Sequence, residues 1–286
     1  MKIKLLFCFI FIVFTASIIA QDKAPYIIFD KKGKKVSYKK ILKTMMEKDI
    51  VLFGEYHDNP IAHWLELELT KSLQAKKPLI LGAEMFETDN QTQVNDYLAG
   101  KINYKALDTL ARLWPNFKTD YAPLLNFAKA NKLKFIATNV PARYAKAVYK
   151  KGGFKALDSI SDEEKAFIAP LPIPFDIELP QYKAMLEMMG THGGEDILKA
   201  QALRDATMAH SILKSYRPGS LFIHYNGAYH SDFFEGIYWY LKKEQPNIKI
   251  GTITTVLQED ISTLDKEHKN RADFIICVDI DMTRTY

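Results

Sequence analysis

Cysteine is nearly absent from this 286-residue chain, which has only Cys8 and Cys277. Cys8 lies in an N-terminal segment read below as removed, and the one cysteine then left cannot close an intramolecular disulfide. Cys277 sits in "DFIICVDID", an apolar strand-like run, where it reads as a small buried side chain. A strong charge of one sign is also missing: the net charge is +5, or +3 without Lys2 and Lys4. That is too little to argue for a nucleic-acid partner. No apolar run reaches the roughly 20 residues of a membrane-spanning helix. There is no solenoid-period repeat and no low-complexity segment. The Gly-x-Ser-x-Gly elbow, the Walker phosphate loop, His-Glu-x-x-His and Cys-x-x-Cys-His are all absent. Their absence removes the common serine hydrolase, nucleotide-binding, zinc-peptidase and covalent-haem signatures.

The first segment is a targeting signal rather than part of the fold. Lys2 and Lys4 precede an apolar run, Leu5 to Phe14, and small residues lead to Ala20 before the polar Gln21-Asp22-Lys23. This is the order of a secretory signal cleaved after Ala20. Residues 1–20 are therefore read as a signal peptide and 21–286 as a single domain, exported to the periplasm or cell envelope. Retention of the run as an anchor is the alternative. An exported chain of this size without disulfides suits a bacterial envelope. The basic tip Lys31-Lys32-Gly33-Lys34-Lys35 reads as a solvated turn, with peripheral membrane association as the minor option.

Short apolar runs alternate with helical ones. Strands are expected at Ile50 to Phe53, Pro78 to Ala83, Lys134 to Thr138, Ser220 to His224, Lys249 to Val256 and Phe274 to Val278, with Tyr26 to Phe29 as an extra edge strand. Asn59-Pro60 caps a helix carrying Ile61, Trp64, Leu65, Leu69 and Leu73 at helical spacing. Further helices are expected at Tyr121 to Asn131 and Phe233 to Lys243. The alternation implies an α/β fold with a mainly parallel central sheet flanked by helices. Residues 142–216 break it: they hold no convincing strand, are interrupted by Pro170, Pro172, Pro174 and Pro180, and gather Met185, Met188 and Met189. They read as a mostly helical insertion that roofs a site. The methionines are packing residues, or a surface suited to a flat apolar ligand.

In an open parallel sheet, ligands bind at the carboxyl ends of the strands. Four expected strands end there in functional groups: Gly54-Glu55-Tyr56-His57, Glu84, Asn139 with Arg143 beyond, and Tyr225-Asn226-Gly227 with His230 beyond. Gly54 and Gly227 are expected to adopt positive φ and let the chain leave each strand sharply. A single Gly-x-x-His is an ordinary turn. Two of them, with Glu55 and Glu84, point to one rim. Two imidazoles and one or two carboxylates suit a divalent metal with an open water position, or general acid–base chemistry without metal. A tyrosine phenolate can ligate ferric haem, and Tyr56 and Tyr229 stand beside the two histidines. His63 lies near the rim with Glu66 three residues on. His224 is expected in the core, His192 as a lid contact, and His210 and His268 at the surface.

The segments "GEYHDNPIAH", "GAEMFE", "YLAGKI", "DYAPLLNFAKANKLKFIATNVPAR", "ALRDATMAH" and "NGAYH" together resemble the ChaN-like haem-binding proteins of the haem-uptake and Tiki superfamily, in the expected order over most of the chain. The resemblance implies a role in bacterial iron or haem handling. It also implies a homodimer with two haems face to face between subunits, each iron bound by a tyrosine. Candidate ligands are Tyr56, Tyr121, Tyr182 and Tyr229. Arg204, in "ALRDATMAH", matches a recurring arginine suited to a carboxylate, with Asp205 beside it as an orienting residue. More distant relatives include metal-dependent peptidases and erythromycin esterases, and to these His57, Glu84 and His230, with Glu55, correspond. Two departures stand out. Phe117 falls where a tryptophan is usual, and Ser231-Asp232-Phe233-Phe234 replaces a stretch often carrying arginines and a tyrosine. The expectation is an exported haem-binding protein. The alternatives are a hydrolase, with Glu55, His57, Glu84 and His230 catalytic or with His57, Glu84 and His230 holding a divalent metal, and an envelope protein with a vestigial site.

Overall fold

The computed structural model describes residues 23–189 and 194–286; the expected signal segment and His192 lie outside the described residues. Seven strands form one sheet: β1 (Tyr26–Asp30), β2 (Ile50–Glu55), β3 (Leu79–Glu87), β4 (Lys134–Asn139), β5 (Leu221–Gly227), β6 (Ile250–Gln258) and β7 (Phe274–Asp279). Their spatial order is β1-β7-β6-β2-β5-β3-β4. All neighbours are parallel except β1, which pairs antiparallel with β7 at the edge. Every strand expected from the sequence is present. Each runs further at its carboxyl end than the apolar pattern indicated, β2 to Glu55, β3 to Glu87 and β5 to Gly227 among them. Glu55, Glu84 and Asn226 are thus held within the sheet rather than on the loops after it.

The helices are α1 (Tyr38–Met45), α2 (Pro60–Gln74), α3 (Gln91–Leu98), α4 (Tyr104–Leu110), α5 (Phe117–Asp120), α6 (Ala122–Ala130), α7 (Ala142–Lys150), α8 (Asp162–Lys165), α9 (Pro180–Met189), α10 (Gly194–Ser215) and α11 (Ile237–Glu244). The expected cap of α2 is in place, with Asn59 Oδ1 accepting from the Ala62 N–H at 2.9 Å. The helix expected from Phe233 begins at Ile237 instead. Phe233 and Phe234 adopt positive φ, and the chain turns there so that the Asp232 carboxylate accepts from Thr254 and Arg271.

Side-chain alternation along the central strands separates two main cores, with a smaller cluster of Phe29, Val256, Ile275 and Cys277 at the β1 edge. Val51, Phe53, Leu81, Ile223 and Tyr225 face α1, α2, α3 and α6, while Ile50, Leu52, Ile80, Phe222 and Ile250 face α7, α10 and α11. Among its described residues the 142–216 segment holds helices and no strand. Its α7 and α10 cover the second face, and Gln181 of α9 reaches the rim, where its carbonyl accepts from Tyr229. The outer edge of β4 is blunted by a side chain: Gln91 donates to the Phe135 carbonyl and accepts from the Ala137 N–H, occupying the groups that would otherwise invite another strand.

Leu81, fully buried at the middle of β3, reports on the first core. We predict that Leu81→Ala lowers the unfolding free energy by about 2–5 kcal/mol, read as a drop in the urea midpoint at unchanged slope.

Candidate functional site

The same alternation places the two glutamates on opposite faces. Glu55 follows Phe53 on the α2 side, and Glu84 follows Gly82 and Ile80 on the α10 side. His57 lies over the sheet's carboxyl edge and joins them. Its Nδ1 lies 2.8 Å from Glu55 Oε1. Its Nε2 turns toward Gly227, where an added Cβ would stand 2.8 Å from that nitrogen and 3.5 Å from Glu84 Oε2. The glycines therefore serve close approach and not the positive φ expected of them. Gly227 has φ −54°, Gly54 is not among the positive-φ glycines, and a Cβ on Gly54 would meet the Ala228 backbone at 2.9 Å. Glycine is required because two strand ends and an imidazole pack into one space.

On the α10 side, Glu84 accepts from the Gly227 N–H at 2.8 Å and lies 3.2 Å from His230 Nε2. His230 Nδ1 lies 2.5 Å from Asp205 of α10 and 2.9 Å from Gln201 Nε2. Burial by itself would lower the His230 pKa. The flanking Glu84 and Asp205 carboxylates win and push it up to about 10, so the ring is an imidazolium at neutral pH. Burial would likewise raise Glu84; His230, His57 and the Gly227 N–H hold it well below the carboxylate range. For Asp205 burial prevails, and His230 offsets it only in part.

On the α2 side, Glu55 is fully buried among donors. Tyr121 Oη donates to it at 2.8 Å, and His63 Nε2 lies 2.9 Å away at ion-pair distance. Burial would raise the Glu55 pKa, but the bonds from His57 and His63 hold it below its ordinary value. Glu66 lies behind, with both carboxyl oxygens unpartnered among the described residues. Burial first, and the Glu55 charge second, push the Glu66 carboxyl well above the usual carboxylate range. Near the chain's end, Thr285 fastens to Asp120 and to the Asp58 backbone over this side.

The structure thus brings Glu55, His57, Glu84 and His230 together at one edge, held in mutual pairs. Both His230 nitrogens are engaged, and among the described residues no three His, Cys, Asp or Glu side chains are arranged to hold a metal ion. The four tyrosines separate. Tyr121 and Tyr182 are buried; burial, and then the Glu55 or Asp205 carboxylate, drive their pKa values far upward. Tyr229 is half-buried and donates to the Gln181 carbonyl at 2.6 Å. Tyr56 is 37% exposed at the mouth beside His57. Arg204 is half-exposed, with no carboxylate at ion-pair distance among the described residues. Asn139 is buried, and Arg143 turns outward to pair with Asp89 at 2.6 Å, so it is not part of the rim. His224 is a core residue as expected, bonded to Thr138 and Asn226 and lowered by burial to about 4. His268 is buried and not at the surface, and His210 is half-buried. His63 carried little weight in the sequence, and Gln201 and Asp120 none. His63 and Glu66, spaced one turn apart at the start of α2, were the available signal.

A family described as haem-binding uptake, Tiki superfamily, ChaN matches residues 41–241. Among solved structures, ChaN of Campylobacter jejuni, described with cofacial haem binding, superposes with a TM-score of 0.64 at 15% identity, covering 88% of this chain and 96% of that one. An erythromycin esterase mutant in its open conformation gives a TM-score of 0.51 at 10% identity, over 92% and 99% of the two chains. At these identities the likeness establishes the fold alone. The chloroplastic protein RETICULATA-RELATED 5 of Arabidopsis thaliana is 26% identical over 140 residues, 46% of this chain but only 18% of that protein's length.

The His230 pairs fix the sign of a pH effect. The imidazole titrates near 6.5 when unfolded and near 10 when folded, so its stabilisation is complete below 6.5 and lost as pH rises through 10. We predict that stability to urea falls over this window and that Asp205→Asn makes the fall shallower.

Proposed function

Because the chain belongs to the haem-binding uptake, Tiki superfamily, ChaN family, we propose that it is an exported protein of iron or haem handling that binds haem at the carboxyl-end rim, with Tyr56 as the iron ligand. The observation that carries the ligand choice is exposure. Tyr56 alone among the four candidate tyrosines is exposed, and it follows the last residue of β2 directly. A phenolate at Tyr121 or Tyr182 would be buried against Glu55 or Asp205 and is disfavoured. Haem supplies a Lewis-acidic ferric iron and a flat apolar face. Tyr56 supplies a hard oxygen donor, and Trp114, stacked edge-on against His57 at 4.8 Å, supplies apolar surface beside it. Arg204, with its guanidinium fork, is the candidate for a propionate. The cofacial haem of the Campylobacter jejuni protein supports a second copy of this chain covering the opposite haem face, with His57 and His230 near the ligand.

A second reading is favoured by the Glu55–His57 pair. A buried carboxylate orients one imidazole nitrogen and the other faces Gly227 and Glu84 at the strand ends, where a neutral His57 would act as a water-activating base in ester or peptide hydrolysis. It requires turnover that His57→Ala abolishes; purified protein inert on panels of both substrate classes would end this reading.

Haemin titration tests the first. We expect a saturable Soret shift in the wild type and in Tyr121→Phe and Tyr229→Phe, and about tenfold or more weaker binding in Tyr56→Phe. Wild-type affinity in Tyr56→Phe would overturn the assignment.

A further inference from the structure

Away from the rim, α10 carries a second opening that neither haem binding nor hydrolysis uses. A cavity of about 500 Å³ lies between the outer side of β4, the Ala166–Ile168 segment and the C-terminal half of α10. Lys134, Lys214 and Arg217 line it, and no carboxylate does. None of the three cations has an acidic partner at ion-pair distance among the described residues. Arg217 spends one nitrogen, Nη1, on the carbonyls of Lys214 and Tyr216, capping the helix. The rest of its guanidinium is left over. The local field is visible at His210 in the cavity wall: burial lowers its pKa first, and the Lys214 charge lowers it further, against a raising contribution from Glu244.

The floor is apolar, formed by Ile136, Phe167 and Ile168. His210 and Lys214 also line a neighbouring cavity of about 670 Å³, whose walls are mainly prolines 170, 172 and 174, Ala206, Leu213 and Tyr240. Glu244 is the one carboxylate lining either space. The two cavities thus meet along one ridge of α10, cationic on one side and apolar on the other. Both fall within the range of small-molecule pockets. Three cations without counter-charges beside apolar wall complement an anionic head on an apolar body, since the head would neutralise mutual repulsion and the body would remove wall from water.

From this we propose that the α10 ridge is a second ligand site, taking an amphipathic organic anion with its acid head at Lys134, Lys214 and Arg217 and its apolar body along the Pro170–Pro174 segment. Decyl phosphate, held below its micelle concentration, is the probe. Mature protein labelled at histidine should show a saturable NMR shift of the His210 ring, with the His57 and His230 rings unmoved. Affinity should fall about tenfold or more in the Lys134→Gln/Lys214→Gln double variant. Inorganic phosphate should bind far more weakly than decyl phosphate, and neutral decyl maltoside should not compete. Both substitutions are at exposed positions, so an unchanged unfolding midpoint separates lost binding from lost fold. Undiminished binding in the double variant, or competition by decyl maltoside, would overturn the proposal. Capture by phosphatidylglycerol vesicles without binding of monomeric decyl phosphate would overturn it too, since the surface would then be reading a lipid bilayer. Because His57 and His230 report separately from His210, the result stands apart from the haem reading.

Discussion

The rim depends on the Glu84 carboxylate. It accepts from the Gly227 N–H at 2.8 Å and faces the His230 imidazolium at 3.2 Å, tying the end of β3 to the end of β5. The neighbouring β2 is drawn in through His57, which can lie over Gly227 only because that position has no Cβ. Remove the carboxylate and His230 keeps only Asp205, as a buried cation with one counter-charge fewer, which is costly in a low-dielectric interior. The arrangement explains why two histidines and two glutamates, set on opposite faces of a sheet, converge on one edge. It also explains why they are locked in mutual pairs. What is left for a ligand is the mouth above them, where Tyr56 and part of His57 reach solvent.

Much of this was readable from sequence because burial on both faces of a parallel sheet leaves a strong mark. β2, β5 and β7 read as continuous apolar runs, and the Asn59-Pro60 cap marked the start of α2. The ends of the strands were less legible. Glu55, Glu84 and Asn226 are polar, so hydropathy assigns them to loops, yet backbone pairing carries β2 and β5 through Glu55 and Gly227. The glycines were noticed for a wrong reason. A sequence shows that a position tolerates unusual φ, but only packing shows that His57 Nε2 would lie 2.8 Å from a Cβ on Gly227. The start of α11 was misplaced because Phe233 and Phe234 have the composition of a helix and the backbone of a turn, fixed by Asp232 bonding to Thr254 and Arg271 across the fold.

The tyrosines show the same limit from another side. Tyr56 and Tyr229 occupy matching places in two Gly-x-Tyr-His motifs, yet one is exposed and the other is bonded to the Gln181 carbonyl. Tyr121, which the resemblance offers equally as a haem ligand, is committed to Glu55. No local pattern separates them: Tyr229 is held by the Gln181 carbonyl of α9, Tyr121 at the start of α6 by Glu55, and Tyr56 is left exposed. The same long α10 that supplies Gln201 and Asp205 to His230 carries Lys214 toward a different opening. One helix therefore borders both the rim and the cationic cavity.

The proposed seat of haem is the mouth at the carboxyl ends of β2, β3 and β5. Ferric haem is paramagnetic and broadens nearby NMR signals steeply with distance, so its position can be read in histidine-labelled protein loaded with one equivalent of haemin. Haem seated there should broaden the His57 ring signals first and those of His230 next, while the His210 signals stay sharp. Sharp His57 and His230 signals in protein that has bound the haemin would contradict it.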